Sequence, residues 1–102
     1  MRKAQVYQQG MLAGVLEESD RNHYRFIYAH GYHGRPISLA LPVHEAPYEF
    51  DAFPPVFEGL LPEGLPLDAM LRQYKIDKKD LFKQLVTVGE DVVGSLTIKE
   101  VQ

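Results

Sequence analysis

The sequence predicts an α+β domain, a small antiparallel sheet or open barrel with about three short helices packed on one side. Three observations carry that reading. The first forty residues hold short β-forming runs broken by turn residues, and residues 54–88 switch to apolar spacings of three and four. A last apolar run, after Gly89, returns to alternation. No repeat, low-complexity segment or linker interrupts the chain, so residues 1–102 read as one domain.

Lys3 to Tyr7 and Met11 to Leu16, separated by Gln8, Gln9 and Gly10, read as a hairpin. A turn over Ser19 to Asn22 leads into His23 to Ala29. There Tyr24, Phe26 and Tyr28 alternate with His23, Arg25 and Ile27, the period of a half-buried strand. His30 to Pro36, with two glycines and a proline, is a loop. Ile37 to Leu41 is expected as a fourth strand ended by Pro42, and the stretch around Pro47 as irregular.

Pro54 and Pro55 suit the first turn of a helix, where missing amide donors cost nothing. Val56, Phe57, Leu60 and Leu61 give it an apolar stripe, Pro62 limits it, and Glu63-Gly64 forms a turn. Leu67, Met70, Leu71 and Tyr74 then space a second helix that buries one face, with Asp68 and Arg72 able to pair along its side. Asp77 is the expected N-cap of a third helix, with Asp80 three residues on and Ile76 stapled against Leu81. Leu81, Phe82 and Leu85 supply its buried side. Gly89 suits a left-handed cap, and Val92 to Ile98 forms the last strand, with Leu96 and Ile98 on one face.

With 45% hydrophobic and 25% charged residues, the chain has the composition of an ordinary globular protein. Absence of cysteine excludes disulfides and thiolate zinc sites, and no apolar run approaches a membrane span or signal-peptide core. The expected location is the cytoplasm. A net charge of -3 argues against a protein that mainly grips phosphate backbones. The charge is also uneven: between Arg35 and Arg72 no Lys or Arg occurs, while Glu45, Glu49, Asp51, Glu58, Glu63 and Asp68 do. That interval is either a solvated acidic surface or a face that meets a basic partner.

Four segments carry a family resemblance: RPISLALP at Arg35 to Pro42, APY at Ala46 to Tyr48, FPPVFEGLLPEG at Phe53 to Gly64 and VGEDVVGSL at Val88 to Leu96. Together they resemble the N-terminal subdomain of HipA-type serine/threonine kinases of bacterial toxin–antitoxin loci. Val92 stands where many relatives have Cys, and Ser95 where Ala is usual; both are packing substitutions. In the full-length kinases a catalytic lobe follows these motifs, and here six residues follow Leu96. The chain is therefore similar to the detached subdomain of tripartite HipBST loci, the HipS-like antitoxins. The resemblance implies a HipT-like serine/threonine kinase toxin as partner, with a HipB-like DNA-binding protein in the same complex. It does not decide whether the piece inhibits its kinase or completes it.

Chemistry is sparse. His23, His30, His33 and His44 include an H-x-x-H pair, but in a Gly-rich loop without a carboxylate, so a metal site is not expected. Nucleotide-binding glycine motifs, a catalytic H-R-D and a D-F-G are all missing, which removes phosphoryl-transfer machinery and gives no catalytic or cofactor residue. Glu90 and Asp91 read as turn residues, Asp91 accepting backbone amides. Lys75, Lys79 and Lys83, spaced by four, with Lys78, read as a solvated helix face. The remaining candidate is Leu61 to Leu67, LPEGLPL, a turn stiffened by two prolines with Leu65 at its tip. Glu58, Glu63, Gly64, Leu65, Pro66 and Asp68 are the expected partner-binding residues. Leu65 either projects toward a pocket on another protein or turns in to join Leu61 and Leu67.

Overall fold

The structure, a computed structural model, describes residues 1–20, 23–89 and 96–101. Among the described residues eight elements follow in the order β1 (Arg2–Gln8), β2 (Met11–Asp20), β3 (His23–Tyr28), β4 (Tyr48–Phe50), α1 (Pro55–Glu58), α2 (Gly64–Tyr74), α3 (Leu81–Val88) and β5 (Leu96–Glu100). The strands form one antiparallel sheet in the order β4-β3-β2-β1-β5. The β1–β2 hairpin turns through Gln9 and Gly10 at φ 51° and 82°. Two consecutive positive φ values match the right-handed twist of the flanking strands.

Alternation on β1 and β3 decides which face is covered. Ala4, Val6, Tyr24, Phe26 and Tyr28 are buried while their neighbours are half-exposed. Phe57 of α1 meets Phe26 with ring centroids 5.9 Å apart, and Phe53, just before α1, meets Tyr24 edge-on at 5.2 Å. Phe82 and Leu85 of α3 complete this core with Ile98 of β5. The other face carries Lys3, Glu17, Arg25 and Glu49 in one register row; Lys3–Glu17 lies at 3.4 Å and Arg25–Glu49 at 3.3 Å. Alternating charges across a row satisfy an exposed sheet surface.

Strand count and order match expectation, yet the fourth strand is a different segment. Ile37 to Leu41 is not a strand, because the Tyr28 hydroxyl replaces a ladder there: it accepts from the Ile37 amide at 2.9 Å and donates to the Leu41 carbonyl. The fourth strand is Tyr48–Phe50 on the sheet edge, where Pro47 just ahead removes no needed donor. Ser19 and Asp20 extend β2 instead of turning, with a register shift between Glu18 and Asp20; the rest of that expected turn lies outside the described residues.

The helices differ at their ends. α1 stops at Glu58, short of Leu60 and Leu61, which leave through turn hydrogen bonds to Phe57 and Glu58. On α2 only Met70 is buried; Leu67 and Leu71 are half-buried and Tyr74 is exposed. α3 is capped by Asp80, whose carboxylate accepts from the Lys83 amide at 3.1 Å, and not by Asp77, which accepts from Lys79 in a turn of its own. Ile76 is buried but lies four residues before that cap, too far ahead to act as the expected staple. Gly89 is right-handed, at φ -52°. What it supplies is space: a Cβ there would stand 2.1 Å from the Ile98 carbonyl oxygen. The Gly89 oxygen accepts from the Ile98 amide at 2.9 Å, which occupies part of the free edge of β5. Of the expected last strand, Val92 to Ser95 lie outside the described residues, as do Glu90 and Asp91; Leu96 and Ile98 share the inner face.

One polar cluster fastens sheet to helix. The Arg2 guanidinium grips Glu18 through Nε at 2.6 Å and Nη2 at 2.8 Å, and reaches the α3 cap through Nη1 to Asp80 at 3.1 Å. Its plane lies 4.9 Å from the Phe82 ring centre, and Tyr24 donates to Glu18 at 3.0 Å. Hydrogen bonding to Glu18 holds Arg2 firmly protonated. Burial, then the hydrogen bond to Glu18, pushes the Tyr24 phenol up to about 12. Burial opposes ionisation of Asp80, but the Arg2 and Lys83 hydrogen bonds outweigh it and hold the carboxyl below its usual range.

Arg2→Ala is expected to lower stability by about 1–2 kcal/mol in urea denaturation. The Asp80 contribution is present above the ordinary carboxylate range and lost as pH falls below about 4, whereas the Tyr24 contribution is present below about pH 10 and lost toward 12. Stability measured against pH should therefore decline at both ends, and Asp80→Asn should flatten the acid limb. Gly89→Ala should destabilise by about 2 kcal/mol or more, since backbone oxygen must move.

Candidate protein-docking face

The segment 58–68 folds differently from the proline-bracketed turn that its sequence suggests. Glu63 is extended, at φ -131° and ψ 163°, and caps α2 without a side-chain hydrogen bond. Gly64, at φ 64°, swings the chain into the helix, so Leu65 and Pro66 already belong to its first turn. The stiffness expected of prolines is thus supplied by a helix. By helical period, Leu65 lies on the side of α2 opposite Leu67, Met70 and Leu71, together with Ala69 and Arg72. It is 81% exposed, which decides between the two orientations in favour of projection.

On the other side of α2 is a groove of about 220 Å³ where the α1–α2 connection meets α3. Leu61, Pro62, Leu67 and Leu81 line it with apolar surface, and its charged members are Glu58, Glu63 and Lys78. Glu58, Glu63 and Asp68 are exposed and form no ion pair with any described residue; Asp68 and Arg72 do not pair.

The acidic interval therefore divides in two. Glu49 belongs to the sheet: it meets His23 at 3.2 Å and Arg25 at 3.3 Å, and those hydrogen bonds, His23 first, lower its pKa. Asp51 lies 3.7 Å from His23, and Glu45 3.8 Å from His30. Glu58, Glu63 and Asp68, on α1 and around the start of α2, are the unpaired part of the interval, Glu58 and Glu63 along the groove and Asp68 on α2. An acidic surface next to exposed apolar side chains suits a partner carrying basic residues beside a pocket.

The other candidates disperse. His44 packs on Tyr48 with centroids 4.2 Å apart, and among the described residues no three His, Cys, Asp or Glu side chains gather as metal ligands. Lys75 is left-handed and ends α2, Lys78 and Lys79 sit in the link, and Lys83 is on α3, so they share no helix. No helix among the described residues is long and apolar enough to cross a membrane.

The sequence missed Leu39. It is 98% exposed, and the expected strand over Ile37 to Leu41 gave it no role of its own. The signal available was the following Pro42, which already argued against a sheet interior.

Comparison with known proteins agrees with the fold. The family model of the HipA N-terminal domain matches residues 4–99. An uncharacterised protein of Haemophilus influenzae is 33% identical over 100 residues, covering 98% of this chain and 93% of that protein. Among solved structures, the N-terminal domain of HipA toxin superposes with a TM-score of 0.78 at 29% identity, covering 100% of this chain and 94% of that one. The chain belongs to the HipA N-terminal domain family.

Because Leu65 makes so little contact with its own chain, Leu65→Asp should change unfolding free energy by less than about 0.5 kcal/mol. Gly64→Ala should cost about 1–2 kcal/mol, since alanine resists the left-handed region. Both are read from chemical denaturation midpoints.

Proposed function

We propose that this chain is an antitoxin that binds a HipA-like serine/threonine kinase in trans and inhibits it. One observation carries the reading: a leucine exposed on the first turn of a helix, in a segment whose carboxylates Glu58, Glu63 and Asp68 are unpaired, in a member of the HipA N-terminal domain family. The chain has none of the motifs that transfer phosphate, so its contribution is binding and not catalysis. Glu58, Glu63 and Asp68 attract the basic surface of the kinase and set orientation. Leu65 then enters or covers the kinase cleft, hindering closure or the access of ATP and substrate. A HipB-like DNA-binding protein completes the complex in this reading, and the site of action is the cytoplasm.

The same surface would serve a detached lobe that completes its kinase, so the sign of the effect is the decisive property. Titrating the purified chain into the kinase encoded beside it, with labelled ATP, should abolish autophosphorylation near one equivalent. Leu65→Asp should restore at least tenfold more activity at that ratio while remaining folded. A rise in phosphorylation with the unaltered chain would establish the activating lobe instead.

A further inference from the structure

A second leucine is presented by different means. Ser38 to Leu41 close a β-turn through the Leu41 amide and the Ser38 carbonyl at 3.0 Å, and the Ser38 hydroxyl accepts from the Ala40 amide at 3.2 Å. Ile37 and Leu41 flank the turn and pack inward, Leu41 buried and Ile37 against the core. Both are fastened through their backbones to one atom, the Tyr28 hydroxyl. Tyr28 itself stacks on Tyr32 at 5.7 Å, while Tyr32 and Tyr48 donate to the carbonyls of Arg35 and Pro42. Three tyrosines therefore set the conformation of this loop.

What the clasp displays is Leu39, 98% exposed, in the second position of the turn with Ala40 in the third. Such turns favour Pro at the second position and accept most other residues there. Turn chemistry tolerates a leucine without calling for one, and a side chain this exposed adds little burial to the fold. A rigid support lowers the entropy lost on association, which makes an exposed apolar tip a binding anchor.

We infer that the Tyr28-clasped turn at Leu39 is a second anchor for the kinase, seated in an apolar, charge-poor pocket outside its cleft. This rests on the kinase-docking reading above. Size supports a second contact: a stable interface buries about 800 Å² on each partner, more than one leucine beside a small groove supplies. Charge separates the two anchors. The loop from His30 to Pro47 contains Arg35 and Glu45 and is otherwise free of Lys, Arg, Asp and Glu, whereas Leu65 lies in a segment whose Glu63 and Asp68 are unpaired. The Leu39 contact is accordingly insensitive to salt and governs dissociation. The Leu65 contact is steered, salt-sensitive and governs inhibition.

Calorimetry of the full chain with the purified kinase, at about 0.05 and 0.5 M salt, tests this. Leu39→Ser is expected to raise Kd at least tenfold by a similar factor at both salt concentrations, yet to inhibit fully once saturating. Tyr28→Phe should raise Kd severalfold and speed amide exchange at Ile37 while the domain remains folded. An unchanged Kd for Leu39→Ser overturns the second anchor alone, leaving Leu65 in place. A Leu39→Ser chain that binds normally but no longer inhibits also overturns it. Absence of any complex with the unaltered chain overturns both readings.

Discussion

Three aromatic side chains on β3 hold the rest of the structure in register. Tyr24, Phe26 and Tyr28 project from one face of an interior strand, and each receives a different part of the chain. Tyr24 takes Phe53 and ties Glu18 into the Arg2 cluster, Phe26 takes Phe57 of α1, and Tyr28 clasps the Ile37–Leu41 turn. Gly14 on the adjacent strand makes room, for a Cβ there would lie 2.8 Å from the Phe26 ring. Covering a sheet face with aromatic rings contributes large apolar burial and edge-to-face contacts together. The order of the row sets the order in which helices and loop are laid over the sheet.

From that row follows an unequal distribution of packing. α1 and α3 are bound to the core by Phe57, Phe82 and Leu85, all fully buried. α2 is attached mainly by Met70 and by half-buried Leu67 and Leu71, and its opposite side is free. Helical stability in proteins comes chiefly from such packing, so a helix with one buried residue depends on its links. Those links are specific: Gly64 in the left-handed region at its start, and left-handed Lys75 at its end with an amide bonded to Leu71. The element with the least stabilising contact is the one that carries Leu65.

Much of this was legible in the sequence where pattern and physics coincide. Strict alternation in His23 to Tyr28 located β3 and its buried face, Gln8, Gln9 and Gly10 located the hairpin turn to within one residue, since Gln8 ends β1, and Pro54-Pro55 located the start of α1. What escaped was decided by tertiary contacts that no local window contains. Ile37 to Leu41 alternates like a strand, but a hydroxyl nine residues away took its backbone groups. Asp77 and Asp80 are both competent caps; Arg2, 78 residues distant, reaches Asp80. Gly89 looked like a left-handed cap, but what it supplies is space for a strand carbonyl, because this fold brings Ile98 against it. At the candidate site, composition revealed the acidic interval and left Leu65 open between projecting and turning inward, while its exposure, its helical support and the whole of the Leu39 turn required coordinates.

The central claim is that α2 presents its free face to a kinase. Amide hydrogen exchange, followed by mass spectrometry on the chain alone and with equimolar kinase, tests it most directly. The account predicts that protection on binding is largest across Gly64–Tyr74 and the α1–α2 connection, with the outer sheet row of Lys3, Glu17, Arg25 and Glu49 unchanged. Protection centred on that outer row, with α2 exchanging as in the free chain, would contradict it.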